Sequence, residues 1–324
     1  MRAPAFWSAR TPLSTLLLPL GALFAAAGRL RRLTATPQDA PVPVICIGNL
    51  VAGGAGKTPV AIAVTRSLIE RGVAAHFLSR GYGGTLAGPV RVAPEAHDAA
   101  QVGDEPLLLA GVAPCWVARD RAAGAREAAA ADAQAIVMDD GHQYPGLRKT
   151  VSIVVVDGET GFGNGRVMPA GPLREPVAEG LARADAVVLM GADRTGVAER
   201  LPPGLPLLHA ALEPVAEARA LAGETVFAFA GIGRPAKFRA TLEELGCTVA
   251  GYRDFPDHHP YRAAEVEAVL EAASAAGAVP VTTEKDFARL PPGLRAPVRT
   301  VGVRAVFKEP DRLDGMLREA VPDG

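Results

Sequence analysis

Residues 42–58 read Val-Pro-Val-Ile-Cys-Ile-Gly-Asn-Leu-Val-Ala-Gly-Gly-Ala-Gly-Lys-Thr. An apolar, β-rich run enters a glycine-rich turn and leaves it as a helical stretch, the setting in which backbone N–H groups cradle a polyphosphate such as that of ATP. Gly53, Gly54 and Gly56 let the backbone curl, while Val51, Ala52 and Ala55 complete the loop. Lys57 can reach the β- and γ-phosphates, and the Thr58 hydroxyl can ligate Mg²⁺. The helix N-terminus adds partial positive charge. The loop is a variant, because the strict pattern has glycine where Val51 stands. An ordinary glycine turn is the competing reading.

Further polar groups close other apolar runs. Asp139 and Asp140 end Ala135-Ile-Val-Met, where carboxylates could hold Mg²⁺ beside the phosphate loop; the alternative is a solvent-facing Asp-Asp-Gly turn. Asp104, in Gly-Asp-Glu-Pro, precedes an apolar helix and could simply cap it. Arg80, in Ser-Arg-Gly-Tyr-Gly-Gly, could bind a substrate phosphate, and Gly171-Pro-Leu-Arg174-Glu175 is a second loop with one arginine. His258 and His259 are adjacent with no third metal ligand in view, which favours acid–base or positioning work over metal binding. Thr282-Thr-Glu-Lys-Asp286 closes a later strand. Each could be structural alone; a shared place at strand ends favours function, since those ends line the crevice of open α/β sheets.

The elements that must carry these groups alternate. Short apolar runs at Val42–Gly48, Val73–Ser79, Cys115–Ala118, Ala135–Met138, Ser152–Val156 and Ala186–Met190 predict buried parallel strands. Helical patterns at Lys57–Arg71, Pro106–Gly111 and Arg119–Ala131 fall between them. A second alternating set begins near Glu224: strands at Thr225–Ala230, Thr248–Tyr252, Val279–Thr282 and Val298–Val303, with helices at Pro235–Leu245 and Arg262–Ala276. The expectation is an α/β protein: a phosphate-loop unit with a doubly wound, mostly parallel sheet over residues 39–220, a smaller α/β unit over 221–324, and a cleft between them.

Residues 1–38 form a separate problem. They contain no acidic residue, while Arg2, Arg10, Arg29, Arg31 and Arg32 are basic. No charge interrupts Thr11–Gly28. A signal peptide, a membrane span, a buried helix and an interfacial helix all compete. The run is short for a span and broken by Pro12, Pro19 and Gly21, and the arginines that follow it tend to stay cytoplasmic. Leu13, Leu16, Leu17, Leu20 and Phe24 fall on one side at helical spacing, so an interfacial helix is the preferred expectation. The formal net charge of −1 argues against a nucleic-acid binder. Cys46, Cys115 and Cys247 are too few and too scattered for a metal site or disulfide framework.

Taken in order, the motifs resemble those of the tetraacyldisaccharide 4′-kinase family. They are Gly48-Asn-Leu, Gly53-Gly-Ala-Gly-Lys-Thr-Pro59, Ser79-Arg-Gly-Tyr-Gly83, Gly103-Asp-Glu-Pro106, Asp139-Asp-Gly141, Gly171-Pro-Leu-Arg-Glu175, Asp257-His258 and Thr282-Thr-Glu-Lys-Asp286. The resemblance runs to about residue 290. It implies transfer of the γ-phosphate of ATP to the 4′-hydroxyl of a lipid A disaccharide precursor, with Mg²⁺, at the cytoplasmic face of the inner membrane. It implies Asp104 as base, His258 (or its neighbour His259) as its partner, Lys57 and Thr58 on the phosphates and metal, and Asp139 and Asp140 as magnesium residues. It places Arg80, Arg174 and Glu175 with the lipid substrate. Two departures stand out: His142 and Tyr144 flank Gln143 where the family usually has Phe and His, and Ala55 replaces a common threonine. Two rivals remain at this point: a membrane-associated ATPase switch that phosphorylates nothing, and a soluble small-sugar or nucleoside kinase.

Overall fold

The computed structural model describes residues 4–322, so Arg2 lies outside the described residues. Thirteen strands run in chain order: β1 Val44–Gly48, β2 Ala75–Ser79, β3 Val90–Arg91, β4 Cys115–Val117, β5 Ala135–Asp139, β6 Val151–Asp157, β7 Ala186–Met190, β8 Leu207–Pro214, β9 Thr225–Ala230, β10 Thr248–Asp254, β11 Val279–Thr283, β12 Arg299–Val301 and β13 Val303–Phe307. They form a nine-stranded sheet, ordered β13-β8-β7-β6-β1-β5-β2-β4-β3, and a four-stranded sheet, β10-β9-β11-β12. The small sheet is parallel throughout. In the large one only the edge strands β3 and β13 run antiparallel.

Strand alternation builds the two faces. Ile45 and Ile47 of β1 pack with Val60, Val64 and Leu68 of the helix Lys57–Glu70. Val44 and Cys46, pointing the other way, join Ala122, Ala125 and Ala128 of the helix Arg121–Ala130. Alanines on that helix therefore set a close helix–sheet distance. Burying each large aliphatic side chain contributes about 1.5–3 kcal/mol. The parallel arrangement puts the ends Gly48, Ser79, Val117, Asp139, Asp157 and Met190 on one edge of the sheet.

The chain crosses between the sheets twice. The expected strand Val298–Val303 is interrupted at Gly302: β12 stays in the small sheet, while β13 pairs with β8 in the large one. Gly302 O accepts the Val215 N–H at 3.1 Å, stitching the two crossings together. The helix Pro310–Ala320 then packs Leu313 and Leu317 into the large core. A unit running to residue 324 thus differs from the observed course, in which the small sheet is an insertion that ends at Val301.

The helix Leu18–Thr34 lies on the large unit along a thin stripe. Ser14 and Gly21 are buried, Leu17, Ala25, Gly28 and Arg32 are half-buried, and nearly everything else is exposed. Gly21 is needed there, because a Cβ would sit 2.7 Å from the Val167 carbonyl oxygen. Arg166 donates to Ser14 Oγ at 2.7 Å, and Arg32 pairs with Glu179 at 2.7 Å. Leu13, Leu16, Leu20 and Phe24 face outward with Leu23, Leu30 and Leu33. Leu17, expected among them, turns partly toward the protein instead, at the spacing of the Ser14–Gly21 stripe. Among the described residues no helix is long and apolar enough to cross a membrane.

Candidate active site

The glycine loop joins β1 to the helix Lys57–Glu70. Gly56 precedes that helix with φ +87°, and Gly53 has φ +123°, backbone settings that side-chained residues rarely adopt. Val51 can replace glycine because it pairs with Leu173 in an antiparallel bridge and packs its side chain on the core. Ala52 donates its N–H to Pro172 O at 2.7 Å. That amide is therefore spoken for, so Ala52, expected among the phosphate-binding residues, makes a structural contact here. The N–H groups of Gly53 through Thr58 have no protein acceptor among the described residues, as a phosphate cradle requires.

Behind the loop, Thr58 Oγ1 donates to Asp139 Oδ2 at 3.1 Å. Asp139 is buried, and its Oδ1 has no partner. Burial, reinforced by the Glu105 charge, pushes its carboxyl up to about 7. Asp140 behaves oppositely. Burial opposes its charge, but Lys57 at 3.6 Å and Arg174 at 2.8 Å hold the carboxyl at about 2. Among the described residues no cluster of three His, Cys, Asp or Glu side chains could hold a metal unaided. Thr58, the orphaned Asp139 oxygen and Asp140 nevertheless fit a hard cation that takes its remaining oxygens from water and a nucleotide.

The second polar group spans the two units. Asp104 opens the helix Asp104–Ala110 of the large unit and is buried. His258 reaches it from the loop after β10, Nδ1 to Oδ2 at 3.0 Å. His258 adopts φ +57°, an uncommon setting for a residue with a side chain. The hydrogen bond that His258 donates to the Asp104 carboxylate raises the His258 pKa. Burial would raise the Asp104 carboxyl, but His258, Lys285 and Arg289 outweigh it and hold Asp104 below its ordinary value. His259 is not the partner: it turns away to Glu265 at 2.9 Å and stacks on Phe255. Lys285 pairs with Glu105 at 2.7 Å, a second contact between the units. Asp157 at the end of β6 makes a third, accepting from Arg234 and Lys237, each at 2.7 Å.

The remaining expected residues divide. Arg80 is exposed, with no hydrogen-bond or ion-pair partner among the described residues, near enough to Arg121 for the two charges to be felt, so it is open to a ligand. Arg174 is drawn into the Asp140 cluster. Glu175 does not face the cleft. It is buried, held by Arg183 at 2.8 and 2.7 Å, by Arg32 at 3.2 Å and by Gln143 at 3.0 Å. Its expected substrate role thus gives way to anchoring the N-terminal helix. His142 is a buried neutral imidazole, its pKa pushed down to about 4 by burial and the Arg183 charge. Its Nε2 donates to Gly180 O at 2.9 Å, so Nδ1 accepts from Ser152 at 2.8 Å. Gln143, Arg183, Arg289 and the Asp157 clasp escaped the sequence reading. Arg289 alone left a trace, one helical turn after Lys285 in the Thr-Thr-Glu-Lys-Asp segment.

Comparisons with known proteins identify the family and a related fold. The family profile described as tetraacyldisaccharide-1-P 4′-kinase matches residues 13–322. A tetraacyldisaccharide 4′-kinase of Rhodospirillum centenum is 58% identical over 98% of this chain and 96% of its own length. One from Rhodospirillum rubrum is 55% identical over 98% of this chain and 97% of its own length. The crystal structure of LpxK from Aquifex aeolicus in complex with ATP superposes with a TM-score of 0.77 at 26% identity, covering 95% of this chain and 99% of that one. The chain belongs to the tetraacyldisaccharide 4′-kinase family.

Proposed function

We propose that this protein transfers the γ-phosphoryl group of ATP to the 4′-hydroxyl of a tetraacyldisaccharide 1-phosphate. The reading is supported above all by the buried Asp104 carboxylate paired with a partly exposed His258 from the other unit. An ATPase switch has no use for such a pair. The family match over nearly the whole chain and the ATP-bound structural relative point the same way.

Phosphoryl transfer asks the protein for positioning and charge stabilisation more than for covalent chemistry. The free amides of Gly53–Thr58 bind the polyphosphate, and Lys57, resting on Asp140 at 3.6 Å, turns to its terminal phosphates. Asp104, ionised at neutral pH, accepts the hydroxyl proton, and His258 orients its carboxylate. Arg80 and Arg174 would supply positive charge to the anionic substrate. Thr58, Asp139 and Asp140 would hold Mg²⁺, which neutralises charge on the β- and γ-phosphates when bound. The smaller unit closes over the cleft through its contacts with Asp104, Glu105 and Asp157.

The outward leucines and Phe24, above an arginine-rich end, suit an interfacial helix on the cytoplasmic face of the inner membrane. The test is incubation with MgATP and the lipid disaccharide monophosphate, followed by mass spectrometry of the lipid. A product heavier by one phosphate is expected. Release of inorganic phosphate with unchanged lipid would favour the switch instead.

A further inference from the structure

We infer that Arg289 is a positioning residue for phosphoryl transfer, a single guanidinium that fixes the Asp104–His258 pair from below. The inference rests on the kinase reading and adds a residue to its machinery. Arg289 follows the helix Glu284–Ala288 of the small unit, and its side chain is 6% exposed. Four of its five N–H donors are engaged within the protein. Nη1 donates to His259 O at 3.1 Å, and Nη2 donates to Gly231 O at 3.1 Å and to Asp286 Oδ1 at 2.9 Å. Nε donates to Lys285 O at 3.2 Å and lies 3.5 Å from Asp104 Oδ2.

Those two carbonyls bracket His258. Gly231 O also accepts the His258 N–H at 3.1 Å, and His259 O belongs to the next residue. Arg289 therefore holds the carbonyl of the residue after His258, the one residue in this loop with positive φ, and the Gly231 carbonyl that accepts the His258 N–H. Holding a side-chained residue in that region costs on the order of 1–3 kcal/mol, so surrounding contacts must enforce it. The guanidinium is itself fixed. Asp286 is fully buried and also accepts from Gly231 N at 2.8 Å and Tyr261 Oη at 2.7 Å. Bases on one unit and histidines on the other need such a brace, because a displacement of about 1 Å can cost about 10²-fold in rate.

Around Asp104 stand the cations His258, Lys285 and Arg289, with Glu105 beside it on its own helix and Asp257 beyond His258. An ammonium at position 289 could replace the charge facing Asp104 but could not span both carbonyls and Asp286. This separates bracing from simple electrostatics.

The experiment compares wild type, Arg289→Ala and Arg289→Lys in full-length protein. Arg289→Ala should lower kcat about 10²-fold with the KM for MgATP within about 2-fold, as a transition-state defect does. Losing the cation should also move the acidic limb of the kcat/KM profile to higher pH. Arg289→Lys should restore that limb but not kcat, and millimolar guanidinium should partly rescue Arg289→Ala but not Asp104→Ala. Wild-type kcat in Arg289→Lys, or a loss carried in the KM for MgATP with an unmoved pH profile, would overturn the inference. Amide exchange at His258 and His259 reads the brace without catalysis and should accelerate in both variants; unchanged exchange also overturns it. A wild type inactive on the lipid sinks the kinase reading instead, and the exchange result still decides the brace.

Discussion

Replacing Glu175 by alanine separates an anchoring carboxylate from a substrate-binding one. The side chain is 1% exposed and takes a two-pronged contact from Arg183, plus Arg32 and Gln143. Removing one member of a buried ion pair costs roughly 3–5 kcal/mol, because its partner is left uncompensated. Here the partners have relief: Arg183 is 34% exposed, and Arg32, 17% exposed, retains Glu179. The cost should therefore fall to about 2–3 kcal/mol, or a loss of about 3–4 °C in melting temperature for a chain of this size. Glu179→Ala is the control. Glu179 is 29% exposed, so its loss should cost no more than about 1 kcal/mol. Thermal melts of both variants, with the KM for lipid measured alongside, give the answer. A Glu175→Ala protein that melts within about 1 °C of wild type, yet binds lipid poorly, would refute the anchoring argument.

Three further perturbations bear on other parts of the structure. The His258–Asp104 contact should stabilise the protein most between about pH 4, above the ordinary Asp value of 3.8, and the ordinary His value of 6.5. Asp104, depressed, loses its share as pH falls through its lowered value; His258, raised, loses its share as pH rises through its own. The melting difference between wild type and His258→Ala should thus be larger at pH 6 than at pH 9, and an equal difference would count against the pairing. Asp139, raised to about 7, favours the protonated folded state, so metal-free stability should decline as pH climbs from about 4 through 7. Asp139→Asn should remove that decline and the stabilisation by Mg²⁺ with nucleotide; a pH-dependent melt identical to wild type would contradict the assignment. Replacing Leu16, Leu23 and Leu33, which are 76%, 68% and 78% exposed, by serine should weaken flotation with anionic vesicles by at least about 10²-fold and leave melting unchanged. Undiminished flotation would remove this face from membrane contact.

Local patterns made part of this architecture readable. The strand–glycine loop–helix segment has its own spacing, and β7 and β9 were bounded to the residue by apolar runs. Asp104, His258 and the Asp139–Asp140 pair are legible through ordered motifs, although the Asp104–His258 contact joins residues 154 positions apart. What was not legible depends on tertiary return. Nothing local says that the chain would leave the small sheet at Gly302, or that β8 would await β13. Glu175 carries the composition of a ligand-binding loop and is buried only because Arg32 and Arg183 arrive from distant elements. Val51 broke the strict loop pattern because its backbone is engaged by the Pro172–Leu173 segment, a pairing visible only in three dimensions. Helical periodicity makes the leucine face legible, while Leu17, at the margin of two stripes, turns partly toward the protein.

Phosphoryl transfer with Asp104 as base is tested most directly by a single turnover with γ-labelled ATP and a tetraacyldisaccharide 1-phosphate. Wild type and Asp104→Asn are quenched over time, and the label is located on the sugar. Wild type should place it on the 4′-oxygen. The variant should bind MgATP normally yet transfer it about 10²–10⁴-fold more slowly. Label appearing only as inorganic phosphate, or equal transfer by both proteins, would contradict it.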